Sequence, residues 1–388
     1  MYTKSDFFAK GKAMRVLVSG GGTGGHINPA LAIAGKIKKE DSTSVIEYVG
    51  TEKGLETKLV PKEGYTIHYV KVEGIKRKIT LENIKAAIHA ITSVGQAKKI
   101  IKKFRPDIVI GTGGYVCWPV LKAAASMKIP TIVHESNAYP GVTTKMLSKY
   151  VDKILLNFEE SKKLLENSKA EITVVGNPVK SEMFELEKEE CRSSLGFGKD
   201  EKILLSYGGS LGAKVVNATV FEMIEKEMLN KNVRHIHATG NGYWDAACEK
   251  FVPQGFTLTD ENTLEKGKTT LKRYIYNMPR LMACADAVIC RAGAMTVSEI
   301  AAMEKSAVFI PSPNVTDNHQ YKNALVLKNA DAAELIEEKD LSAKLLSETV
   351  TKILSDEKAM HERAQKVRKF AQPDCLDLIY SEIKKLTK

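Results

Sequence analysis

The first candidate catalytic residue is His26, which closes the glycine-rich stretch GGGTGGH. The apolar run Arg15–Gly20 before the glycines predicts a buried strand, and Pro29–Glu40 after them predicts a helix. If that helix begins near Asn28, Pro29 occupies its first position, where a missing N–H costs nothing. His26 would then lie at the loop tip beside the positive helix end, which favours a neutral imidazole suited to general-base chemistry. A histidine that only caps or packs is the alternative.

The same glycines also allow a nucleotide-cofactor interpretation. Gly20, Gly22 and Gly25 have the G-x-G-x-x-G spacing of dinucleotide-binding loops. Such loops need an acidic residue at the end of the second strand to bind the ribose. Glu47 lies inside the predicted strand and Glu52 follows a Gly-Thr pair, so neither is well placed. An NAD-linked oxidoreductase is therefore an alternative that rests on the glycines alone.

Polar groups also follow three predicted strands in the second half of the chain. In YGGSLGA, the backbone N–H groups and Ser210 would form a phosphate site at a helix N-terminus, with a tight turn as the alternative. In CRAGAMTVSEI, Thr296 is the expected N-cap and Glu299 would complete a capping box, unless its carboxylate binds vicinal hydroxyls. In DNHQYKNA, Gln320 and Asn323 share a helix face, and amides suit sugar hydroxyls, with a solvated helix start as the alternative.

The elements that must position these residues alternate between strand and helix in two rounds, which open at Gly20 and Gly208. This pattern predicts the α/β class, with two doubly wound, Rossmann-like domains that face each other across a cleft. The turn-forming segment Gly176–Pro178 marks the boundary between them. In such sheets ligands bind at the carboxyl ends of the strands, where both glycine loops are expected.

Composition excludes several classes of protein. With 388 residues, 43% of them hydrophobic, the chain is long enough for two domains with ordinary cores. No apolar run approaches the roughly 20 residues of a membrane span, and the polar N-terminus predicts no signal peptide. The six cysteines form no C-x-x-C pair and have no histidine at zinc-ligand spacing, which predicts a reducing cytosol and no metal site.

Positive charge is concentrated in the N-terminal half. Residues 1–175 contain 28 Lys and Arg against 16 Asp and Glu, whereas the remainder is nearly neutral. The partner of this half is therefore expected to be anionic. Basic and apolar residues mixed in EGIKRKIT are typical of a membrane-surface site, and a basic loop without a partner is the alternative. The candidate membrane residues are Ile75, Lys76, Arg77, Lys78, Ile79 and Trp118.

Taken in chain order, these motifs resemble the MurG family of bacterial glycosyltransferases. The resemblance extends from about Met14 to the C-terminal helix and includes GGGTGGHINPALAIA, HESNAYPG, GNPVK, GGSLGA, CRAGAMTVSEI and DNHQYKNA. It implies a GT-B fold, no cofactor or metal, and inverting transfer of N-acetylglucosamine from UDP-N-acetylglucosamine to lipid I, giving lipid II. It also implies a peripheral enzyme at the cytoplasmic face of the bacterial plasma membrane, with anionic inner-leaflet lipids as partners and no nucleic acid.

The resemblance assigns domains and residues as well. It implies an N-terminal extension at 1–13, an acceptor and membrane-association domain at 14–176, a UDP-sugar domain at 177–360 and a helical tail at 361–388 that packs back toward the N-terminal domain. His26 would be the base for the 4-hydroxyl of the muramyl sugar. The acceptor residues would be Thr23, Gly24, Gly25, Glu135 and Asn137. The donor residues would be Lys180, Ser210, Ile275, Ala294, Met295, Thr296, Glu299, His319, Gln320 and Asn323.

Two positions depart from the family pattern. Leu211 stands where GGSQGA has a glutamine, and Lys180 replaces the arginine of NPVR with a point charge in place of a bidentate fork. Both changes bear on donor affinity more than on activity. Related alternatives are a GT-B transferase with another lipid acceptor such as diacylglycerol, a UDP-N-acetylglucosamine epimerase, and a non-catalytic nucleotide-binding module.

Overall fold

The chain folds into two compact units. The computed structural model describes the backbone of residues 13–72 and 81–387, and their side chains apart from those of 81–91. Residues 1–12, most of the expected N-terminal extension, and the whole Ile75–Ile79 patch lie outside the described residues. The N-terminal unit comprises Met1–Ser136, Pro140–Pro178 and Asp374–Lys388. The C-terminal unit comprises Asn137–Tyr139 and Val179–Pro373.

The N-terminal unit is built on a parallel sheet whose described strands have the order β3-β2-β1-β4-β5-β6-β7. Central strands such as IVIG are uniformly apolar because helices cover both of their faces. The strands are β1 (Arg15–Ser19), β2 (Val45–Gly50), β3 (Thr66–Tyr69), β4 (Ile108–Gly111), β5 (Thr131–Glu135), β6 (Lys153–Leu156) and β7 (Glu171–Val174). The helices are α1 (Gly24–Glu40), α2 (Glu56–Lys62), α3 (Leu81–Phe104), α4 (Cys117–Ser126) and α5 (Val142–Leu147), with a 3-10 helix at Glu159–Leu165.

The C-terminal unit contains a second, mostly parallel sheet of order β10-β11-β12-β9-β8-β13-β14-β15. Its strands are β8 (Lys202–Tyr207), β9 (Val233–Ala238), β10 (Thr257–Asp260), β11 (Thr263–Lys266), β12 (Thr269–Lys272), β13 (Ala287–Cys290), β14 (Ser306–Phe309) and β15 (Ala333–Leu335). Its helices are α6 (Glu182–Glu185), α7 (Lys188–Ser194), α8 (Lys214–Glu225), α9 (Trp244–Phe251), α10 (Met278–Cys284), α11 (Ala294–Ala302), α12 (His319–Asn329), α13 (Ala343–Ser355) and α14 (Glu357–Arg368). Short 3-10 helices lie at Asn241–Tyr243, Val252–Gln254 and Thr316–Asn318.

The last helix, α15 (Cys375–Leu386), belongs to the N-terminal unit although it ends the chain. Its residues Ile379 and Ile383 are buried in the same cluster as Val16 and Val18 of β1. Leu17, which points to the other face of the strand, packs in a separate cluster with residues of α3 and α4. The C-terminal segment thus completes one face of the first sheet.

The α/β class and the two Rossmann-like domains predicted from the sequence are confirmed. One supersecondary unit was absent from that prediction, the antiparallel strands β10, β11 and β12 at the edge of the second sheet. Thr257 to Lys272 is largely polar, so it lacks the apolar runs that marked the other strands. Leu264 and Leu271 are its buried residues in a cluster with Trp244 and Phe251 of α9.

Candidate active site

A first candidate site lies in the N-terminal unit, at the carboxyl ends of β1 and β4, where the chain leaves the two strands in opposite directions. These neighbouring strands are parallel, and Ser19 at the end of β1 is level with Gly111 at the end of β4. From there the chain leads to β2 on one side and to β5 on the other. Ligands of doubly wound sheets bind at such a switch point, outside the carboxyl ends of the strands. The loops that meet there carry Gly20–Thr23 and Thr112–Val116.

The helix after the first glycine loop begins earlier than predicted. Thr23 is the extended N-cap, and its carbonyl accepts hydrogen bonds from His26 N at 3.1 Å and Ile27 N at 3.2 Å. The prediction of a start near Asn28 is therefore wrong by about one turn. Pro29 lies inside α1, where its missing N–H leaves one helical hydrogen bond unmade. His26 accordingly lies in the first helical turn and not at a loop tip.

The backbone of the second loop fixes the tautomer of His26. The imidazole Nδ1 is 3.2 Å from the carbonyl oxygen of Thr112. A carbonyl only accepts hydrogen bonds, so Nδ1 carries the hydrogen, and a neutral ring then has its lone pair on Nε2. The Thr112 hydroxyl in turn donates to the His26 carbonyl at 2.6 Å. In this tautomer, Nε2 is the nitrogen of the half-buried histidine that can accept a proton.

Gly113 and Gly114 allow this close approach. A Cβ atom on Gly113, whose φ is 109°, would lie 2.4 Å from Nδ1 of His26. A Cβ atom on Gly114 would lie 2.4 Å from the carbonyl oxygen of Gly21. The sequence reasoning did not identify Thr112, Gly113 or Gly114 as site residues. The signal was GTGG directly after the apolar strand β4, a second glycine loop of the same kind as the first.

A buried carboxylate also holds the first glycine loop through a hydrogen bond. Glu56 is fully buried, and its Oε1 accepts from Thr51 N at 3.0 Å and from the Thr51 hydroxyl at 2.8 Å. Its Oε2 accepts from Gly22 N at 3.3 Å. An NAD-binding loop needs an exposed acid after the second strand. Glu56 is buried, and its carboxylate already accepts hydrogen bonds from Gly22 and Thr51.

The other predicted acceptor residues have different surroundings. Glu135 ends β5 and is buried, and its Oε2 accepts from Gly141 N at 2.9 Å and from Thr144 Oγ1 at 2.6 Å, at the start of α5. Asn137 lies in the C-terminal unit, where its Oδ1 is 3.2 Å from Nδ2 of Asn323. These contacts give both side chains structural roles, and their contact with an acceptor stays a prediction. Thr23, Gly24 and Gly25 form the accessible start of α1.

A second candidate site lies in the C-terminal unit, at the carboxyl ends of the strands of its sheet. Tyr207, Cys290 and Phe309 end the adjacent parallel strands β8, β13 and β14 at the same level. The chain leaves β8 toward β9 on one side, and β13 lies on the other, which makes a second switch point. The loops that follow these strands hold most of the predicted donor residues, from Ser210 to Gln320.

The loop after β8 has the geometry of an anion-binding turn. Gly209 and Gly212 have φ values of 100° and 80°, a region that favours glycine. Ser210 is exposed within this turn, and Ala213 caps the 12-residue helix α8. The helix N-terminus and its free N–H groups attract negative charge. Leu211 is 76% exposed and makes the loop apolar where a glutamine was expected from the family pattern.

Glu299 is not part of a capping box. The N-cap of α11 is Gly293, and it makes no side-chain cap, so Thr296 lies inside the first turn. The capping prediction is wrong because small residues let the helix begin three positions earlier. Among the described residues the half-buried Glu299 carboxylate has no hydrogen-bond donor. Burial raises the pKa of Glu299 to about 7, and the positive charge of Lys180 opposes that rise.

The residues at the start of α12 divide into accessible and structural groups. His319 donates from Nδ1 to Thr316 O at 2.7 Å, and Gln320 Oε1 accepts from Ser312 N at 2.9 Å. Asn323 is fully buried and donates from Nδ2 to Ala292 O at 3.2 Å, in addition to its contact with Asn137. Asn323 thus joins two loops, and its predicted sugar contact stays a prediction.

The remaining predicted residues differ in exposure. Ile275 is buried in the loop after β12, between Tyr274 and the exposed Tyr276. Ala294, Met295 and Thr296 form the half-buried first turn of α11, and Lys180 is exposed. Trp118 is partly buried against the core of the N-terminal unit.

Within residues 13–72 and 81–387, no three His, Cys, Asp or Glu side chains come together as a metal site. No helix in the described part of the chain is long and apolar enough to cross a membrane.

Comparison with known proteins decides the family. The glycosyltransferase family 28 N-terminal domain matches residues 16–156, and the family 28 C-terminal domain matches residues 203–379. The UDP-N-acetylglucosamine--N-acetylmuramyl-(pentapeptide) pyrophosphoryl-undecaprenol N-acetylglucosamine transferase of Acetivibrio thermocellus is 42% identical over 97% of this chain and 99% of that protein. This chain belongs to glycosyltransferase family 28. It is a hexosyltransferase, as the motifs predicted.

Another relative and two solved structures are also similar to this chain. The transferase of the same name, numbered 1, from Bacillus cereus is 42% identical over 97% of this chain and all of that protein. The crystal structure of Acinetobacter baumannii MurG has a TM-score of 0.76 and 26% identity, covering 96% of this chain and 99% of that one. The UDP-GlcNAc 2-epimerase of Neisseria meningitidis, at 14% identity and a TM-score of 0.65, supports the fold alone.

Proposed function

We propose that this family 28 enzyme transfers N-acetylglucosamine from UDP-N-acetylglucosamine to the 4-hydroxyl of the muramyl sugar of lipid I. The products are lipid II, a precursor of peptidoglycan, and UDP. The names of its relatives support the donor and the lipid-linked acceptor. The observation that carries the chemistry is the contact of His26 Nδ1 with the Thr112 carbonyl oxygen, from which we infer that Nε2 is the proton acceptor.

The reaction is a single displacement at the anomeric carbon of the donor sugar. His26 Nε2 takes the proton of the 4-hydroxyl as its oxygen forms the new bond, and the bond to the UDP oxygen breaks on the opposite face, with inversion. The negative charge that develops on UDP would be stabilised by the Gly208–Gly212 loop and the N-terminus of α8. The Ser210 hydroxyl adds a donor to the diphosphate.

Glu299 would hold the ribose of the donor. Two vicinal hydroxyls can supply the hydrogen bonds that its half-buried carboxylate lacks within the described structure. The backbone of Ile275 would contact uracil, and Ala294, Met295 and Thr296 would lie along the nucleotide. His319 and Gln320, at the start of α12, would contact the sugar, with Asn323 behind them.

The transfer experiment must separate the acceptors. Radiolabel from UDP-N-acetylglucosamine is followed into a lipid I analogue, diacylglycerol or water, with and without chelator. Transfer to lipid I alone, unaffected by chelator, is the expected result. Transfer to diacylglycerol, or conversion to UDP-N-acetylmannosamine without acceptor, would replace the proposal with a related transferase or an epimerase.

We also propose that the enzyme works at the cytoplasmic face of the plasma membrane, bound peripherally to anionic inner-leaflet lipids. The support is the positive charge of residues 1–175 and the mixed basic and apolar patch Ile75–Ile79. Sedimentation with vesicles tests this. Binding should require anionic lipid and weaken with salt, and the triple variant Lys76→Ser, Arg77→Ser, Lys78→Ser should bind less. Equal binding to neutral vesicles would contradict it.

A further inference from the structure

A cavity lies in the C-terminal unit, at the amino-terminal ends of the strands whose carboxyl ends lead into the predicted donor loops. Its volume is about 630 Å³, within the range of small-molecule sites. Lys202, Asp286 and Lys305, which lie at the amino-terminal ends of β8, β13 and β14, line it. Residues of α6 and α14, the first and last helices of the unit, form its other walls. The donor residues are at the carboxyl ends of the same strands, so the two places do not overlap.

The charged groups around this cavity are paired, with one exception among the cations. Lys188 lies 2.6 Å from Asp286, and Lys202 lies 2.6 Å from Glu357. The guanidinium of Arg368 lies 3.0 Å from Glu304. Among the described residues, no carboxylate lies within ion-pair distance of Lys305. The nearby Asp286, whose charge raises the pKa of Lys305, already pairs with Lys188 and Arg192.

Lys305 is also the deepest of these cations. It is 8% exposed, and the structure gives its ammonium one hydrogen bond, to Ala283 O at 2.8 Å. Two of its three N–H groups are left for another acceptor. Burial, together with the nearby charge of Lys188, lowers the pKa of Lys305 to about 8. Asp286 only partly offsets the cost of burying this cation, and an anion that enters the cavity would offset more of it.

The remaining lining is more polar than apolar, but four apolar side chains in it can contact more than an inorganic ion. Met183 and Phe184 of α6 lie on one side, and Met303 and Met360 on others. Methionine side chains adapt to irregular ligand shapes. The volume holds a ligand with a ring or short chain as well as a charged group.

We propose that this cavity, which we call the Lys305 pocket, is a second ligand site that binds a small organic anion. The phosphate or carboxylate group of the ligand pairs with the Lys305 ammonium, and its apolar body packs on the methionines and Phe184. The proposal does not depend on which sugar or acceptor the enzyme uses, because no donor or acceptor residue lines the pocket.

Amine labelling of the full-length protein tests the proposal. Acetylation of Lys305 by limiting acetic anhydride is measured by peptide mass spectrometry with phenyl phosphate, benzoate, benzyl alcohol or UDP present. At saturation, phenyl phosphate or benzoate should slow Lys305 labelling by about an order of magnitude. Benzyl alcohol and UDP should leave it unchanged. Protection by UDP, equal protection by benzyl alcohol, or no protection by either anion overturns the proposal.

Matched variants separate the pocket from general charge effects. Calorimetric binding of phenyl phosphate should be lost in Lys305→Met and retained in Lys305→Arg, because both keep a long apolar stem but only arginine keeps the charge. Lys202→Met removes a cation of the same pocket that already has a partner, and it should retain binding. Loss in Lys202→Met equal to that in Lys305→Met would contradict a specific role of Lys305. The labelling result on the unmodified protein stands even if Lys305→Met fails to fold.

Discussion

At the residue scale, the proposed chemistry depends on two side chains whose environments differ in kind. His26 is oriented by a backbone carbonyl that decides which nitrogen holds the hydrogen. Glu299 is set by burial, which raises its pKa to about 7, and by the opposing charge of Lys180. The carbonyl contact constrains the orientation of His26, whereas burial constrains the protonation of Glu299. Each leads to a separate measurement.

Replacing His26 by alanine should reduce turnover much more than donor binding. General-base groups contribute about 10²- to 10⁴-fold to rate, so kcat should fall by that factor. Titration calorimetry should give a UDP dissociation constant close to that of the unmodified enzyme, since His26 lies in the other unit from the nucleotide loops. Asn28→Ala, an exposed change two residues along α1, is the control. Full activity in His26→Ala would exclude it as the base.

Glu299 predicts a pH dependence of donor affinity. Hydroxyl donors favour the ionised carboxylate, so UDP-N-acetylglucosamine should bind about tenfold more tightly at pH 8 than at pH 6. The sign for folding is opposite. A carboxyl with a raised pKa binds its proton more tightly when folded, so its linked stability falls as pH rises from the ordinary value of 4.5 through about 7.

Binding isotherms for the unmodified protein and two variants check this dependence. Glu299→Gln should bind the donor weakly at every pH and lose the rise. Lys180→Met should move the rise to higher pH because the opposing charge is gone, while Lys226→Met, which removes an exposed cation paired with Glu222, should not. A pH-independent affinity in the unmodified protein would remove the ribose role from Glu299.

At the element scale, the two glycine loops of the N-terminal sheet together position His26. The loop after β4 supplies the carbonyl that binds His26, and the absence of side chains at Gly113 and Gly114 allows that approach. The buried Glu56 carboxylate holds the first loop through Gly22 N. His26 is therefore positioned by elements far from it in sequence.

Gly113→Ala tests this arrangement. Its Cβ would meet the imidazole of His26, and the φ of 109° disfavours alanine in addition. We expect kcat to fall by at least about tenfold with little change in UDP binding, because misplacement of a base by a fraction of an ångström slows proton transfer. Gly64→Ala is the matched control, since Gly64 also has a positive φ but open space around its Cβ position. Equal loss in both variants would show that backbone strain alone is responsible.

At the scale of the whole molecule, the chain enters the C-terminal unit after Pro178 and returns to the N-terminal unit at Asp374. The returning helix α15 contributes Ile379 and Ile383 to the first core. It also contributes Glu382, whose carboxylate pairs with the buried Lys153 ammonium of β6. Glu171, mostly exposed, is the second partner of Lys153, at 2.9 Å.

Removing Glu382 should therefore destabilise the N-terminal unit. The change Glu382→Ala leaves a buried ammonium with one exposed partner and should lower the free energy of unfolding by about 3 kcal/mol. Glu171→Ala, at the exposed end of the same network, should cost less than about 1 kcal/mol. Urea unfolding followed by circular dichroism measures both. The double variant Lys153→Met, Glu382→Leu should recover most of the loss, and equal effects of the two single changes would contradict the buried-pair account.

Much of this protein could be predicted from local sequence. Apolar runs of four to six residues marked the central strands of both sheets, because strands covered on both faces need no polar positions. The polar strands β10 to β12 were not predicted, because their buried residues pack against α9 and local sequence does not reveal that contact. The starts of α1 and α11 were misplaced because the predictions relied on the capping preferences of proline and threonine, whereas Thr23 and Gly293 cap these helices without a side-chain hydrogen bond.

By itself, the sequence determined the fold class, the family and the identity of His26 and Glu299 as candidate site residues, since the motifs and their order can be read directly from the residues. Only the tertiary structure decided the hydrogen-bond partners, the burial and the protonation of those residues. The hydrogen on Nδ1 of His26 depends on a carbonyl 86 positions away, and the raised pKa of Glu299 depends on burial among residues from separate segments. It also decided that Asn323 and Glu135 serve hydrogen bonds within the fold, and that Lys305 lines a pocket with no carboxylate within ion-pair distance among the described residues. Protonation, burial and partnership are properties of three-dimensional neighbours, and spacing along the chain does not specify them.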